Sequence, residues 1–289
     1  MKKPSHIVFI LVLFLLPCRI VDTPLYAAQS TIVEAEGYAC MGDDKSRKQT
    51  EQSAMTDAKR KAAEKALTYI QSETRIKDME LEKDLVSAYA DAQVKVIDES
   101  VGKWYKEAAT GECYKLSIKA EVIPDTKAID KMSQGDSYSP TAPLNVRVWT
   151  EKKDYKQGEK IKIYIQGNKP FYARVLYADV KGEMLQLLPN PYRTDNYFNG
   201  GVVYEIPSGG DKYELEVSPP FGEENVIIYS STSQLGDINL KTEGGVYYVD
   251  TKAKDIGNKT RSVKIKSLSD KKSVVSEFYE GKATVRTGN

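Results

Sequence analysis

Histidine is almost missing: among 289 residues the only one is His6. It falls in an N-terminal stretch that reads as a removable leader, so the exported chain is expected to carry no imidazole. That excludes Ser-His-Asp and Cys-His catalysis and zinc sites built on imidazole. Carboxylate, Lys, Tyr or Cys chemistry is what remains open to an enzyme. Cysteine is scarce as well, at Cys18, Cys40 and Cys113 alone. Neither sign of charge is in excess: 42 Lys+Arg face 41 Asp+Glu, for a formal net charge of +1. Composition therefore gives no argument for nucleic acid or for an acidic membrane surface. Beyond the leader no apolar run approaches the roughly 20 residues of a membrane helix. Phenylalanine is sparse, 6 against 19 tyrosines, so aromatic contacts here usually bear a polar tip. That balance suits tyrosine-bearing strands better than an all-helical bundle. A mean hydropathy of −0.49 describes a soluble chain, and its length suggests about two domains.

The leader is residues 1–28. Lys2 and Lys3 form a positive start, and Ile7 to Leu16 is an unbroken apolar run. The run is too short to span a bilayer and has the length of a signal-peptide core. Ala27 and Ala28 follow before Gln29 and Ser30, so cleavage is expected after one of these alanines. Leu15-Leu16-Pro17-Cys18 resembles a bacterial lipoprotein box, although Pro17 stands where a small residue is preferred. An outer-membrane lipoprotein anchored through Cys18 is thus the lesser alternative to a periplasmic or otherwise exported chain. Loss of the leader removes Lys2, Lys3, Arg19 and Asp22 and leaves 39 basic and 40 acidic residues. It also leaves Cys40 and Cys113, an even pair in an exported chain, for which a disulfide is expected over two buried thiols.

Residues 31–40 read as a strand, with Gly37 as a bulge or a close approach. From about Gln49 to Gln71, Ala54, Ala58, Ala62, Ala66 and Ile70 recur every fourth residue, as on one helix face. A stripe of alanines lets a helix lie close on a sheet. Lys48, Glu51, Lys59, Arg60, Lys61, Glu64 and Lys65 line the other face. That face reads as solvated in preference to a basic docking surface, because acids are mixed in. A shorter helix is expected at about Glu80–Ala92. Val94–Tyr105 and Glu112–Ile123 then read as a hairpin around Thr110-Gly111, with Tyr114, Leu116, Ile118, Ala120 and Val122 on one face. The first domain, 29–123, is therefore expected as α+β, with helices on a small antiparallel sheet. If its first strand pairs antiparallel with its last, Cys40 meets Cys113 and closes a loop of about 74 residues, for about 4 kcal/mol of stabilisation.

Residues 124–143 hold three prolines and little apolar periodicity and read as a linker. From 144 to 289 the pattern turns all-β. Strands are expected at Leu144–Trp149, Lys160–Ile165, Phe171–Ala178, Met184–Leu188, Val202–Ile206, Lys212–Val217 and Val226–Ser231, separated by turns. Such spacing suggests a β-sandwich, which the alternating tail from Tyr247 to Val285 completes.

Both halves resemble known families. Glu34-Ala35-Glu36-Gly37, the A-x-x-D-A-x-R-x-A-A-x-x-A-L helix at 54–67 and the Tyr114–Val122 strand ending in Ile123-Pro124 resemble the N-terminal domain of flagellar assembly protein T and related small envelope lipoproteins. That resemblance implies a periplasmic, non-catalytic domain with a helix on a small sheet. The second half is similar to a bacterial Ig-like domain of unknown function found in exported and signalling proteins. It is so through Val148-Trp149, Tyr155-x-x-Gly158-Glu159, Ala178-Asp179-x-x-Gly182, Leu187-Leu188-Pro189-Asn190, Ile206-Pro207, Pro220-Phe221-Gly222-Glu223, Thr260-Arg261 and Glu277-Phe278-Tyr279-Glu280. The family usually has Gly after the Thr-Arg pair, at the place of a tight turn, where this chain has Ser262.

The candidate chemistry is thin. Gly200-Gly201 and Gly209-Gly210 could cradle an anion but lack the helix and Lys-Ser/Thr of a phosphate loop, so turns are expected. Gly222-Glu223-Glu224-Asn225 offers oxygens without a calcium-loop ladder and reads as a surface turn. Asp179 and Glu183 flank a turn, and nothing in the sequence sets a glycosidase spacing between them. No catalytic residue, metal site or cofactor is assigned. The most distinctive stretch is Leu187-Leu188-Pro189-Asn190-Pro191-Tyr192 with Arg193, Asn196 and Tyr197. It could recognise a partner or stack on a sugar ring, but a structural corner is the favoured reading. The expectation is a non-enzymatic, exported two-module adaptor of the periplasm, its halves joined by a flexible tether and engaging an envelope protein. Recognition of cell-wall glycan or peptidoglycan by the second domain is the alternative.

Overall fold

A computed structural model describes residues 28–73, 79–109, 111–125, 138–262 and 275–289. Residues 1–27 of the expected leader therefore lie outside the described residues, as do 126–137 of the linker and 263–274 of the tail. In chain order the elements are β1 (Ala28–Cys40), α1 (Arg47–Glu73), α2 (Met79–Ala90), β2 (Gln93–Glu99), β3 (Lys103–Glu107) and β4 (Gly111–Ile123). Then come β5 (Val146–Thr150), β6 (Asp154–Lys156), β7 (Ile163–Gly167), β8 (Phe171–Ala178), β9 (Met184–Leu188), β10 (Tyr197–Phe198), β11 (Tyr204–Ile206) and β12 (Glu223–Ser231). The chain closes with β13 (Leu240–Glu243), β14 (Val246–Val249), α3 (Ala253–Arg261) and β15 (Ser276–Gly288).

Alternation builds β1: Thr31, Val33 and Ala35 are buried while Glu34, Glu36 and Tyr38 are exposed. A capping box starts α1, in which the Ser46 hydroxyl accepts from the Gln49 N–H at 3.3 Å and the Gln49 side chain accepts from the Ser46 N–H at 2.8 Å. The expected stripe of Ala54, Ala58, Ala62, Ala66 and Ile70 is buried against β1 and β4. Gly37 is a close approach and not a bulge. Its pairing with Leu116 sits inside an uninterrupted β1–β4 register, and a Cβ there would lie 2.1 Å from the Ala54 carbonyl oxygen. On the outer face Asp57 pairs with Arg60 and Lys61, and Arg60 also with Glu64, as a solvated face should. Burial opposes ionisation of Asp57, yet hydrogen bonds from Lys61, Arg60 and the Tyr38 N–H outweigh it and hold its carboxyl down to about 2. The expected hairpin is present with its first arm broken: β2 and β3 both pair with β4.

The two halves are not independent modules on a tether. One sheet runs β13-β14-β9-β8-β12-β15-β1-β4-β2, and a smaller one runs β11-β7-β5. The C-terminal strand β15 lies between β12 and β1 and pairs with β1 from Ala28↔Glu280 to Ile32↔Ser276. One face of this long sheet is covered by α1 and α2 at the β1/β4 end. The same face is covered by the small sheet over β8, β12 and β15, where Val146, Ile163, Ile165 and Ile206 meet Phe171, Val175, Val226 and Val285. The opposite face buries Ile32, Leu176, Tyr229 and Phe278 with Ile256 of α3. Helix α3 was not expected, so the second half is not all-β and the division into an α+β and an all-β half holds only in part. The end of the expected linker is tied down too: Asn168 Nδ2 donates to the carbonyls of Ser139, Ala142 and Pro143.

The join between the halves is polar on both faces of the sheet. On the α3 face, Glu121 of β4 is 2% exposed and accepts from Ser30 at 2.8 Å and from Arg261 Nε at 2.5 Å. Arg261 reaches Glu280 at 3.0 Å and lies over the Phe278 ring at 4.4 Å. On the other face, Glu277, 3% exposed, accepts from the Leu144 N–H, from Lys169 at 3.0 Å and from Tyr69 at 3.4 Å. The Thr260-Arg261 and Glu277–Glu280 stretches of the resemblance thus form this join. Ser262 needs no glycine conformation, since it ends α3 at φ −79° with its N–H on the Lys259 carbonyl.

Two outcomes test the packing. Gly37→Ala should lose at least about 2 kcal/mol of unfolding free energy, because backbone atoms of α1 occupy the space its methyl needs; a denaturant titration matching the parent would refute the close approach. Cys40 and Cys113 face each other across β1–β4 and are disulfide-bonded. Denatured, unreduced exported protein should show no reactive thiol, and reduction should lower stability by about 4 kcal/mol; two reactive thiols would contradict the bond.

Candidate functional site

Among the described residues, a groove of about 390 Å³ opens at the end of the sandwich. Strands β8, β9 and β12 supply one side, the extended segment Tyr213–Pro220 the second and the β14 hairpin the third. The segment 212–217 was expected as a strand. It makes only a bridge, Lys160↔Glu216, with the Ile161 N–H on the Leu215 carbonyl and the Val217 N–H on the Glu159 carbonyl. It therefore lies along the edge of the small sheet and opens a trough beside β9.

The floor is apolar, from Leu185, Leu187 and Val217. Above it stand Tyr177, Tyr192, Tyr213 and Tyr248, with Asp179, Glu183, Glu214, Glu216 and Glu224 between them. Glu224 is 4% exposed and accepts the Tyr177 hydroxyl proton in a short hydrogen bond. Burial pushes its carboxyl above the ordinary 4.5; the Tyr177 hydrogen bond opposes this and neighbouring Asp179 adds to it. Burial and the same carboxylate raise the Tyr177 hydroxyl as well. Gly222–Asn225 is thus not the expected surface turn, because Glu223 already begins β12 and Glu224 points inward. Asp179 does make its turn: its carboxylate accepts from the N–H groups of Lys181 at 2.9 Å and Glu183 at 2.8 Å.

The residues expected in the recognition loop separate. Asn190 is buried and structural, its Nδ2 donating to the Leu187 carbonyl at 2.6 Å and its Oδ1 accepting from the Tyr192 and Arg193 N–H groups, each at 2.8 Å. Arg193 pairs with Asp211 at 3.3 Å and lies over Phe198. Asn196 contributes its carbonyl to the Ala173 N–H. Of the five, Asn190 and Tyr192 line the groove. Tyr192 is 51% exposed and stacks on Tyr213 with centroids 6.0 Å apart. Tyr197 is exposed beside Tyr172, away from the lining residues. The stretch forms the expected corner: Asn190 holds the turn that presents Tyr192 at the groove. Glycines 200 and 201 serve a turn, with Gly200 against the Lys169 backbone. The pairing of Tyr177 with Glu224 was missed because each looks ordinary alone, and only the β8–β12 register, Val226↔Tyr177, brings them together.

A family model described as a domain of unknown function, DUF4384, matches residues 154–234, a span that includes β8, β9, the Asn190 turn and Glu224. No similar curated protein and no similar solved structure was found. Nothing in these comparisons supports the resemblance of the first half to the flagellar assembly protein T domain. No helix among the described residues is long and apolar enough to cross a membrane.

A raised carboxyl has a defined signature in stability. Glu224 contributes most below the ordinary carboxylate range and loses that contribution as pH rises through its raised value. Glu224→Gln keeps an acceptor for Tyr177 and has no charge to bury. Its stability relative to the parent should therefore climb as pH rises from the ordinary carboxylate range through the raised value of Glu224, and then level off. Urea titrations across that range measure it, and a pH-independent difference would count against a buried, raised Glu224.

Proposed function

We propose that this is a non-enzymatic binding factor of the cell envelope, exported by its leader and holding an envelope partner through the tyrosine-lined groove. The observation that carries the reading is the groove itself, a concavity with an apolar floor and half-exposed Tyr192 and Tyr248 on its rim. Aromatic rings on a fixed frame supply contact area at low entropic cost. Export is favoured by the Lys2-Lys3 and Ile7–Leu16 pattern and by the Cys40–Cys113 bond, which persists in oxidising compartments. In this reading the first half is an envelope domain of the flagellar assembly protein T kind and the second an Ig-like sandwich. They act as one scaffold, because β15 belongs to the sheet of both.

Cell-wall glycan is the second reading, favoured by the exposed ring face of Tyr192, on which a sugar could stack. In-cell crosslinking of the tagged, exported protein, followed by mass spectrometry, separates the two. A reproducible protein partner, lost on Tyr192→Ala with Tyr248→Ala, is the expected result. Tag recovered on cell-wall material with no protein partner would replace it by the glycan reading.

A further inference from the structure

The groove's charge is one-sided. Asp179, Glu183, Glu214, Glu216 and Glu224 line it, and no Lys or Arg does. Lys160 pairs with Glu214 at 2.6 Å. Asp179, Glu183, Glu216 and Glu224 have no ion-pair partner among the described residues. The amide donors on the wall are already engaged internally, Gln186 Nε2 with the Pro189 carbonyl at 2.7 Å and Asn190 Nδ2 with the Leu187 carbonyl. The Tyr177 hydroxyl donates to Glu224, and Tyr213 donates to the Leu187 carbonyl at 3.4 Å. The site thus presents acceptors and ring faces, with few donors left for a sugar or an anion.

Resting on the binding reading above, we propose that the groove receives a basic, extended segment of the partner polypeptide, one Lys or Arg side chain entering between the tyrosines. The two-part character of those side chains fits the two-part groove. An aliphatic stem covers Leu185, Leu187 and Val217, and the cationic head meets the carboxylates and the faces of Tyr192, Tyr213 and Tyr248. A polypeptide is favoured over a free amine because the apolar rim, Val246 and Tyr248, extends the contact surface beyond one side chain. The neighbours of an inserted Lys or Arg cover that rim.

Calorimetry on the disulfide-intact exported chain tests this with defined probes: a capped octapeptide alternating Lys and Val, the same peptide with every Lys acetylated, 1,5-diaminopentane, and a cell-wall oligosaccharide. The expected result is that the Lys peptide binds at least about tenfold more tightly than either the acetylated peptide or the diamine. Its affinity should also fall at least about tenfold in Glu183→Gln with Glu216→Gln and weaken with added salt. Both substituted residues are exposed, and an unchanged unfolding curve establishes that the variant is folded. Equal binding of the acetylated peptide, an undiminished double variant, a diamine as tight as the peptide, or binding of the oligosaccharide alone would each overturn the proposal. A partner captured in cells with undiminished yield by the double variant would overturn it while leaving the binding reading intact. A Lys peptide that binds in vitro, with no protein partner in cells, would overturn that reading instead.

Discussion

Two buried carboxylates, Glu121 and Glu277, flank the β1–β15 ladder, and the arrangement of the molecule follows from satisfying them. A carboxylate removed from water demands cationic and hydrogen-bonding partners. Here each carboxylate has one partner from the opposite half of the chain. Glu121 of the first half takes Arg261 of α3, and Glu277 of the last strand takes Tyr69 of α1 as well as Lys169. A buried ion pair adds little net stability over an apolar replacement, whereas an orphaned partner costs about 3–5 kcal/mol. Such a join therefore does more for placement than for strength. A shifted register would take Arg261 from Glu121 and Tyr69 from Glu277.

That placement bears on the groove. Its β8 and β12 walls lie in the same sheet as β1 and β4, β12 pairing with β15 and β8 with β12. Arg174 of β8 points to the other face, where it donates to Gln186, the Gly236 carbonyl and Thr260. One side of β8 is thereby fixed to α3 while the other carries Tyr177 into the groove. The Asn190 turn fixes Tyr192 by the same principle, since a buried polar side chain with all of its partners inside the protein leaves the chain few alternatives. The groove is thus preorganised by polar groups beneath it, and its exposed tyrosines need not also hold the fold.

Much of this was legible in local sequence pattern. The alanine stripe of α1 and the strands 171–178 and 184–188 follow from period and turn chemistry alone. Cys40 beside Cys113 follows from pairing the ends of one small sheet. What was not legible depends on contacts between distant residues. Nothing in the spacing of Ser276–Glu280 tells that it pairs with Ala28–Ile32 and not with another edge, because alternation gives a strand its faces and not its neighbour. Helix α3 was missed because Ala253–Arg261 places Ile256 as its only large apolar side chain, too little for a periodic signal. Glu224 sits in a Gly-Glu-Glu-Asn run that has the composition of a turn. Its burial comes from the strand across the sheet, and local composition carries no trace of it.

The shared strand changes what a domain means in this chain. Were the halves separate modules, a cut through 126–137 would give two folded pieces. Here the first piece would lose the β15 partner of β1 and the Arg261 contact of Glu121, and the second would keep β15 with one edge unpaired and Glu277 without Tyr69. Unpaired strand edges are templates for association, and a carboxylate without its partners is costly to bury. The unit that folds is therefore the whole sheet, and the groove, although built from residues of the second half, rests on a frame to which the first half is integral.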